Sequence, residues 1–273
     1  MKNGHQSPVC LTIAGLDPSG GAGIIADIKT FSAFGCFAAA AVASVTFQNT
    51  TGVFGAIHQT AESVRNQIEP VLDDYGVAAV KTGMLPTREI IETIAEIISE
   101  RRLRNIVIDP VIRSTSGFDL IDDTALSALI EKLFPLADLI TPNIPEAERI
   151  ARIKITSAAE IEQAASIMRF MGAKNVLIKG GHELSADCGL RIAESKRKAN
   201  DYLFIGEQLR VFEGEFIETS STHGTGCVLS SAIAANMALG KNLIEAIKIA
   251  KDFVTEAIRT APNLGRGNSP INI

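Results

Sequence analysis

Short apolar segments alternate with amphipathic helical segments along almost the whole chain, and this alternation limits the fold more than any single motif. Apolar side chains spaced three and four residues apart predict the helices, and the short apolar runs between them predict buried strands. The predicted strands are 9–14, 38–47, 77–81, 105–109, 137–140 and 175–179. Strands that alternate with helices form a mostly parallel sheet covered on both faces, so the sequence predicts an α/β fold.

The predicted helices fill the intervals between these strands and close the chain. They are 24–34, 61–75, a helix beginning at Thr87 as N-cap, 122–134, 156–171 with a capping box from Thr156 to Glu160, 225–239 and 243–260. Segment 188–217 instead alternates like β structure and predicts a hairpin at one sheet edge. The tail, 261–273, is rich in proline, glycine and asparagine and is predicted to be loose. With no linker or internal repeat, we expect one domain over residues 1–273.

Composition excludes several classes of protein. The chain has 273 residues, 46% of them hydrophobic, and a net charge of -5, so a nucleic-acid partner is not expected. Its four cysteines, at 10, 36, 188 and 227, form no C-x-x-C pair, which argues against zinc and disulfides and favours a reducing cytoplasm. No signal-peptide core or transmembrane-length apolar run is present, so we expect a cytoplasmic protein without membrane contact.

Residues 220–236 combine a polar turn, two glycines and a helix-length run of small residues. Gly224 and Gly226 let backbone N–H groups approach a ligand closely, and the start of the following helix attracts anions, phosphate above all. Cys227 lies within this predicted phosphate site, where the helix terminus is expected to lower its thiol pKa. Alternatively, the glycines simply precede a core helix and Cys227 is a small buried side chain.

Polar and glycine residues concentrate where the predicted strands end. They lie in segments 15–21, 48–50, 82–84, 109–110, 142–143 and 180–182. In open α/β sheets, ligands bind at the carboxyl ends of the strands, so these segments predict one shared site.

The first glycine loop, 21–26, fits the dinucleotide pattern G-x-G-x-x-A. That pattern also requires an acidic residue about 20 positions later, to bind the ribose hydroxyls. No Asp or Glu occurs between Ile28 and Ala61, and no Gly-Lys-Ser/Thr of a P-loop follows the glycines. The sequence therefore disfavours both of these nucleotide sites.

Asn143 and Glu146 lie three residues apart just after a predicted strand, at the start of a helix. Their oxygens suit Mg²⁺ that is held partly by water and substrate phosphates, and Asp109 at another strand end offers a second carboxylate. Lys179 is placed to meet a phosphate as a point charge. Alternatively, Asn143 and Glu146 only cap the helix, and Lys179 is a solvated lysine at the end of a strand.

Seven of these segments, in order and without large gaps, resemble bacterial hydroxymethylpyrimidine/phosphomethylpyrimidine kinases of the ribokinase-like superfamily. The segments are 14–23, 48–50, 83–84, 109–111, 141–146, 179–182 and 222–227. The resemblance implies a three-layer α/β/α fold, use of ATP with Mg²⁺, and a homodimer. It also implies two successive phosphorylations in thiamine synthesis, first of the pyrimidine's hydroxymethyl group and then of the resulting monophosphate.

The same resemblance implies a role for each matching residue. Gly224, Thr225 and Gly226 match the anion hole, and Cys227 matches the catalytic base, where ribokinase relatives generally carry Asp. For the pyrimidine it implies Gln48, Gly15, Asp17 and Met84; for ATP, Lys179, Asn143 and Thr222; and for magnesium, Glu146 and Asp109. A carboxamide can both donate to and accept from an aminopyrimidine edge, which agrees with the match of Gln48.

Three residues depart from the family's usual pattern: Leu16, Phe47 and Arg113. We expect Leu16 and Phe47 to flank the pyrimidine pocket, so substrate preference is the property that they affect. Two other functions stay open at this point. One is a pyridoxal kinase of the same type, and the other is a vitamin-binding protein without turnover.

Overall fold

The computed structural model describes residues 7–114, 117–180 and 198–273. Within this part of the chain, nine strands form one sheet in the order β3-β2-β1-β4-β5-β6-β7-β8-β9. The strands are β1 (Val9–Leu16), β2 (Phe37–Asn49), β3 (Gly52–His58), β4 (Val77–Thr82), β5 (Ile106–Ile108), β6 (Leu139–Ile140), β7 (Asn175–Gly180), β8 (Asn200–Ile205) and β9 (Gln208–Phe212).

Six neighbouring strands run parallel, in the order β2, β1, β4, β5, β6 and β7, whereas β3, β8 and β9 pair antiparallel at the two sheet edges. The mostly parallel sheet is therefore confirmed. The predicted edge hairpin is present as β8 and β9, and residues 188–197 of that prediction lie outside the described residues. Strand β3 was not predicted, because its seven residues include two glycines and show no clear apolar alternation.

Eight α-helices are present in the described part of the chain, six between strands and two after β9. They are α1 (Gly23–Ala33), α2 (Ala61–Asp74), α3 (Arg88–Glu100), α4 (Asp123–Ala128), α5 (Ile144–Ala151), α6 (Ala158–Phe170), α7 (Thr225–Ala238) and α8 (Leu243–Arg259). Thr87 caps α3 by accepting from the Ile90 N–H, as predicted. Helix α6 begins two residues later than predicted, and its N-cap is Ser157, whose N–H donates to Glu160. None of the described helices combines the length and the apolar character needed to cross a membrane.

Strand alternation divides the core between the two faces of the sheet. On β1, Leu11 and Ile13 join the larger core with α2 to α6, whereas Cys10 faces the smaller core with α1, α7 and α8. Successive side chains of a strand point to opposite faces of the sheet. Because both odd and even positions of these strands are apolar, both faces of the sheet need to be covered by helices. The result is the expected three-layer α/β/α arrangement.

The C-terminal tail, residues 261–273, is packed against the turn between β2 and β3 and the loop before α7, so the prediction of a loose tail was wrong. The Asn268 N–H donates to the Thr50 carbonyl at 2.8 Å, and the His223 N–H donates to the Ser269 carbonyl at 3.2 Å. Ile271 is 3% exposed. The tail is held by backbone hydrogen bonds to two loops and by one buried side chain. Neither kind of contact produces a periodic sequence pattern.

Candidate active site

A cleft of about 1000 Å³ opens at the carboxyl ends of the parallel strands. All of the candidate residues from the sequence line it, although they come from seven separate segments. They are Gly15, Asp17, Gln48, Met84, Asp109, Asn143, Glu146, Lys179, Thr222, Gly224, Thr225, Gly226 and Cys227. Gly181 and His182 lie outside the described residues. The sheet topology thus brings the predicted strand-end segments together at one edge.

Residues 222–227, which we call the anion loop, lead into the N-terminus of α7. Gly224 caps the helix with φ 87°, and a Cβ there would lie 1.8 Å from the Gly21 carbonyl oxygen, so only glycine fits. A Cβ on Gly226 would lie 3.0 Å from the Lys179 Nζ. The first N–H groups of a helix lack intrahelical acceptors. The loop is therefore an open cradle for an anion, with a lysine at its rim.

Lys179 is held by Asp109 across the floor of the cleft. Its Nζ donates to Asp109 Oδ1 at 2.8 Å, and the Thr141 hydroxyl donates to the same oxygen at 3.1 Å. Burial raises the pKa of Asp109, but the Lys179 and Lys81 charges outweigh it and hold that pKa below its ordinary value. Asp109 is therefore an anion, and an incoming phosphate would share Lys179 with it.

Asn143 and Glu146 form a capping box at the start of α5. Asn143 Oδ1 accepts from the Glu146 N–H, and Glu146 Oε2 accepts from the Asn143 N–H, both at 2.8 Å. Glu146 is 5% exposed, and burial raises its pKa to about 7 against the opposing charge of Lys179. In the described part of the chain, no three His, Cys, Asp or Glu side chains cluster as a metal cage. These oxygens fit a Mg²⁺ ion that is held largely by water and phosphate.

Gln48 faces the cleft from the end of β2 and contacts the anion loop. Its Nε2 lies 3.2 Å from His223 Nε2, which in turn lies 2.7 Å from Asp17 Oδ2. Phe47, the preceding residue, points to the other face of the strand and is 48% exposed. The expectation that Phe47 flanks the pocket was therefore wrong, whereas Leu16 does line the cleft.

The contacts of His223 determine how the Gln48 carboxamide is oriented. Burial raises the pKa of Asp17, but hydrogen bonds from His223 and Ser19 lower it below its ordinary value, so Asp17 is an anion that only accepts. His223 Nε2 must then carry the proton, and a Gln48 N–H cannot donate to it. The single Nε2 proton of His223 goes to Asp17, so exchanging the amide O and N places an acceptor rather than a donor against this N–H and lets Gln48 donate to the Thr46 hydroxyl, whose proton goes to the Leu16 carbonyl. One Gln48 N–H and one oxygen lone pair then remain for a ligand.

Cys227 is half-buried in the first turn of α7. Burial raises the pKa of its thiol to about 11, although the Lys81 charge and a hydrogen bond from the Gly23 N–H act in the opposite direction. The expectation of a lowered thiol pKa was therefore wrong. The dipole of a helix terminus is worth at most about 2 kcal/mol, which is less than the cost of burying an anion.

Sequence reasoning missed two groups beside the site, His223 and the buried pair of Lys81 and Asp27. The signal for the pair was present. Lys81 interrupts an apolar strand, and Asp27 lies on the inner face of α1, three residues after Ile24 and four before Phe31. Charged residues at core positions are rare unless they are paired, so each should have prompted a search for the other.

Comparisons with known proteins show which family the chain resembles. A model of the phosphomethylpyrimidine kinase family matches residues 17–272. A hydroxymethylpyrimidine/phosphomethylpyrimidine kinase from Haemophilus influenzae is 42% identical over 96% of this chain and 95% of its own. The crystal structure of a Clostridium difficile phosphomethylpyrimidine kinase is 40% identical, with a TM-score of 0.78 over 92% of this chain and 100% of its own.

A pyridoxal kinase from Bacillus subtilis, solved as an ADP complex, is also similar, with 36% identity and a TM-score of 0.85 over 98% of this chain and 97% of its own. The family match spans nearly the whole chain and includes the anion loop, Gln48 and Lys179. The chain belongs to the phosphomethylpyrimidine kinase family.

Proposed function

We propose that this enzyme phosphorylates 4-amino-5-hydroxymethyl-2-methylpyrimidine with ATP and then phosphorylates the monophosphate to the diphosphate, in thiamine biosynthesis. The full-length relatives carry both activities in their name. One observation of the site carries the proposal. Gln48, which can bind an aminopyrimidine, contacts His223 of the anion loop, where phosphoryl transfer would take place.

The pyrimidine would be recognised by the two hydrogen-bonding groups that Gln48 leaves free. Its oxygen lone pair can accept from the exocyclic amine, and its N–H can donate to the neighbouring ring nitrogen. Met84 packs over Gly15 on the facing wall, where a Cβ would lie 3.0 Å from the Met84 Sδ, and these two residues would cover the ring. The oxygens of Asp17 are taken by Ser19, Ala22 and His223, so Asp17 would act through His223.

The transferred phosphoryl group would lie between the anion loop and Lys179. Phosphoryl transfer depends mainly on positioning and on neutralising charge. The backbone N–H groups of Gly224 and Gly226 and the Lys179 ammonium would supply that stabilisation, with Thr222 and Asn143 beside the phosphates. The Thr225 N–H, which donates to the Thr222 carbonyl at 3.3 Å, would have to turn to the phosphate to join them. Cys227, next in the loop, would accept the proton of the attacking hydroxyl.

We also propose Mg²⁺ as the metal, held by Glu146 and Asp109 largely through water. Bound Mg²⁺ would neutralise phosphate charge during transfer. The capping hydrogen bond occupies Glu146 Oε2 and the ion pair with Lys179 occupies Asp109 Oδ1. Asp109 therefore keeps Oδ2 for the ion or its waters, and Glu146, which also accepts a hydrogen bond from the Ile112 backbone, would act through water.

The proposal is tested by measuring ADP release with the hydroxymethylpyrimidine, its monophosphate and pyridoxal as separate acceptors. We expect turnover on both pyrimidines and a much lower kcat/KM for pyridoxal. Pyridoxal is the second candidate substrate, because a pyridoxal kinase structure superposes on this chain with a TM-score of 0.85. ATP consumption with pyridoxal alone would overturn the proposal, and binding without ADP release would identify a protein that has lost turnover.

We propose a homodimer formed through the β3 edge of the sheet. β3 has a paired neighbour on one side only, and Phe54 and Ile57 on it are 67% and 59% exposed. An edge strand with exposed apolar side chains readily pairs with another chain. A second copy of this chain is the partner that fits the family resemblance.

A further inference from the structure

Lys81 and Asp27 form a fully buried ion pair between the sheet and helix α1. Both side chains are 0% exposed, and the Lys81 Nζ donates to each Asp27 oxygen at 2.8 Å. The hydroxyls of Thr12 and Ser231 each donate to Asp27 at 2.6 Å. A buried ion pair costs desolvation energy and often stabilises a fold less than apolar residues of the same size. Fold stability alone therefore does not account for this pair.

The pair lies directly beneath the proposed proton acceptor. Ser231, which donates to Asp27, follows Cys227 by one helical turn, so the two side chains share one face of α7. Lys81 reaches the same place from β4, where it pairs with Thr12 of β1. It also lines the cleft, and a Cβ on Gly83 would lie 3.1 Å from its Nζ.

The ammonium of Lys81 retains hydrogen-bonding capacity toward the cleft. It has three N–H donors. Within the described residues, both of its hydrogen bonds go to Asp27, which leaves one donor over. Asp27, in contrast, has no hydrogen-bonding capacity left over, because each of its oxygens accepts one hydrogen bond from Lys81 and one from a hydroxyl. The carboxylate thus anchors the lysine, and the remaining donor belongs to a side chain that lines the cleft together with Cys227.

We propose that Lys81 is a positioning residue: anchored by Asp27 beneath α7, it stabilises the thiolate of Cys227 and so makes this thiol available as a proton acceptor. The inference rests on the proposed role of Cys227. Four charged groups face the thiol: Lys81 from β4, Asp27 from α1, Asp109 after β5 and Lys179 on β7. Lys179 is paired with Asp109 and would be shared with phosphate, whereas Lys81 keeps the same partner throughout.

The direction of the pKa effects agrees with this geometry. Burial raises the pKa of Cys227, Lys81 is the principal charge that lowers it, and Asp27 and Asp109 raise it again. The two members of the buried pair therefore act on the thiol with opposite signs. A purely structural pair would not produce opposite effects, because the loss of either member disturbs the same packing.

The test is the pH dependence of iodoacetamide alkylation at Cys227 in the full-length enzyme, followed by mass spectrometry of the peptide that contains it. Lys81→Met should move the alkylation profile to higher pH, and Asp27→Asn should move it to lower pH. A neighbouring charge shifts a pKa by about one unit or more, so rates at one pH should change about tenfold or more in opposite directions. Shifts in the same direction, or none, would overturn the inference.

A matched control is Lys251→Met, because Lys251 forms another largely buried ion pair, with Asp201 at 2.5 Å. This variant should leave the Cys227 profile unmoved. If Lys81→Met does not fold, Lys81→Met/Asp27→Asn is compared with Asp27→Asn, and only the double variant should require higher pH. Full activity of Cys227→Ala would refute the proposed role of Cys227 as the base. If Cys227→Ala is inactive but Lys81→Met leaves the pH profile of Cys227 alkylation unchanged, only the inference about Lys81 is refuted.

Discussion

Cys227 shows how burial and function oppose each other in a single side chain. Since burial raises the pKa of its thiol to about 11, little thiolate exists in the free enzyme near neutral pH. The thiolate is the form that can accept a proton, and below the pKa its population grows tenfold with each pH unit. We therefore expect kcat/KM for the pyrimidine to rise with pH from about 7 to 10, which initial rates across this range would measure.

The matching variant is Cys227→Ala. It should lower kcat about 10²- to 10⁴-fold, the usual contribution of a general base, and should lose the alkaline rise while ATP still binds. Cys227→Asp should recover part of the rate, because a carboxylate can take the same proton. A Cys227→Ala enzyme with nearly full kcat would leave the thiol as a packing residue and assign catalysis to the anion loop and positioning.

Gln48 is a second residue whose role can be separated by kinetics. Gln48→Ala should raise KM for the pyrimidine and leave KM for ATP nearly unchanged. Removing a hydrogen-bonding partner in a buried polar site costs about 1–3 kcal/mol, which corresponds to roughly 5- to 150-fold. Phe47→Ala is the control, because Phe47 is adjacent in sequence but points away from the cleft. Equal weakening toward both substrates would make Gln48 a structural residue at the strand end.

At the scale of the element, helix α5 carries a carboxyl group that both caps the helix and faces the cleft. The pKa of Glu146 rises from 4.5 to about 7 in the folded protein, so the folded state favours its protonated form. The contribution of Glu146 to the free energy of unfolding is fully present below pH 4.5 and is lost as the pH rises through 7. The loss amounts to about 3 kcal/mol. In magnesium-free buffer, urea denaturation at pH 5 and pH 8 should show most of that loss.

Glu146→Gln should remove this pH dependence and keep the cap, because an amide oxygen can still accept from the Asn143 N–H. Glu160→Gln is the control. Glu160 holds the equivalent position on α6 but is only half-buried, and hydrogen bonds from Thr156 lower its pKa. Its effect on stability therefore falls below pH 4.5. The same loss of stability in both variants would assign the pH dependence to another group.

How well an element could be predicted from sequence depended on whether its packing leaves a periodic pattern. Helix α3 buries six residues at helical spacing and was predicted with its cap. Strand β3, with no residue fully buried, and the tail around Ile271, held by backbone pairing, leave no such pattern. The thiol pKa of Cys227 was missed for another reason, since burial by distant segments cannot be derived from a local motif.

At the scale of the whole molecule, the parallel sheet explains why the site residues are scattered along the chain. Asp17 and His223 are 206 positions apart and yet form a hydrogen bond, because β1 ends and α7 begins at the same edge of the sheet. The sequence shows strand ends, and parallel strands bring those ends together. The site could therefore be located from the sequence, whereas contacts within it, such as His223 with Gln48, required the structure.

The proposed dimer is the prediction that concerns the whole molecule. Phe54 and Ile57 on β3 are more than half exposed, and burying such a side chain contributes about 1.5–3 kcal/mol. A symmetric interface buries each of them twice, so light scattering after size exclusion should give twice the 29.0 kDa chain mass. Phe54→Lys/Ile57→Lys should give 29.0 kDa, because each interface would then bury unpaired charges. Phe170→Lys, at a residue 95% exposed on α6, should remain dimeric, and a wild-type enzyme that is monomeric at micromolar concentration would refute the dimer.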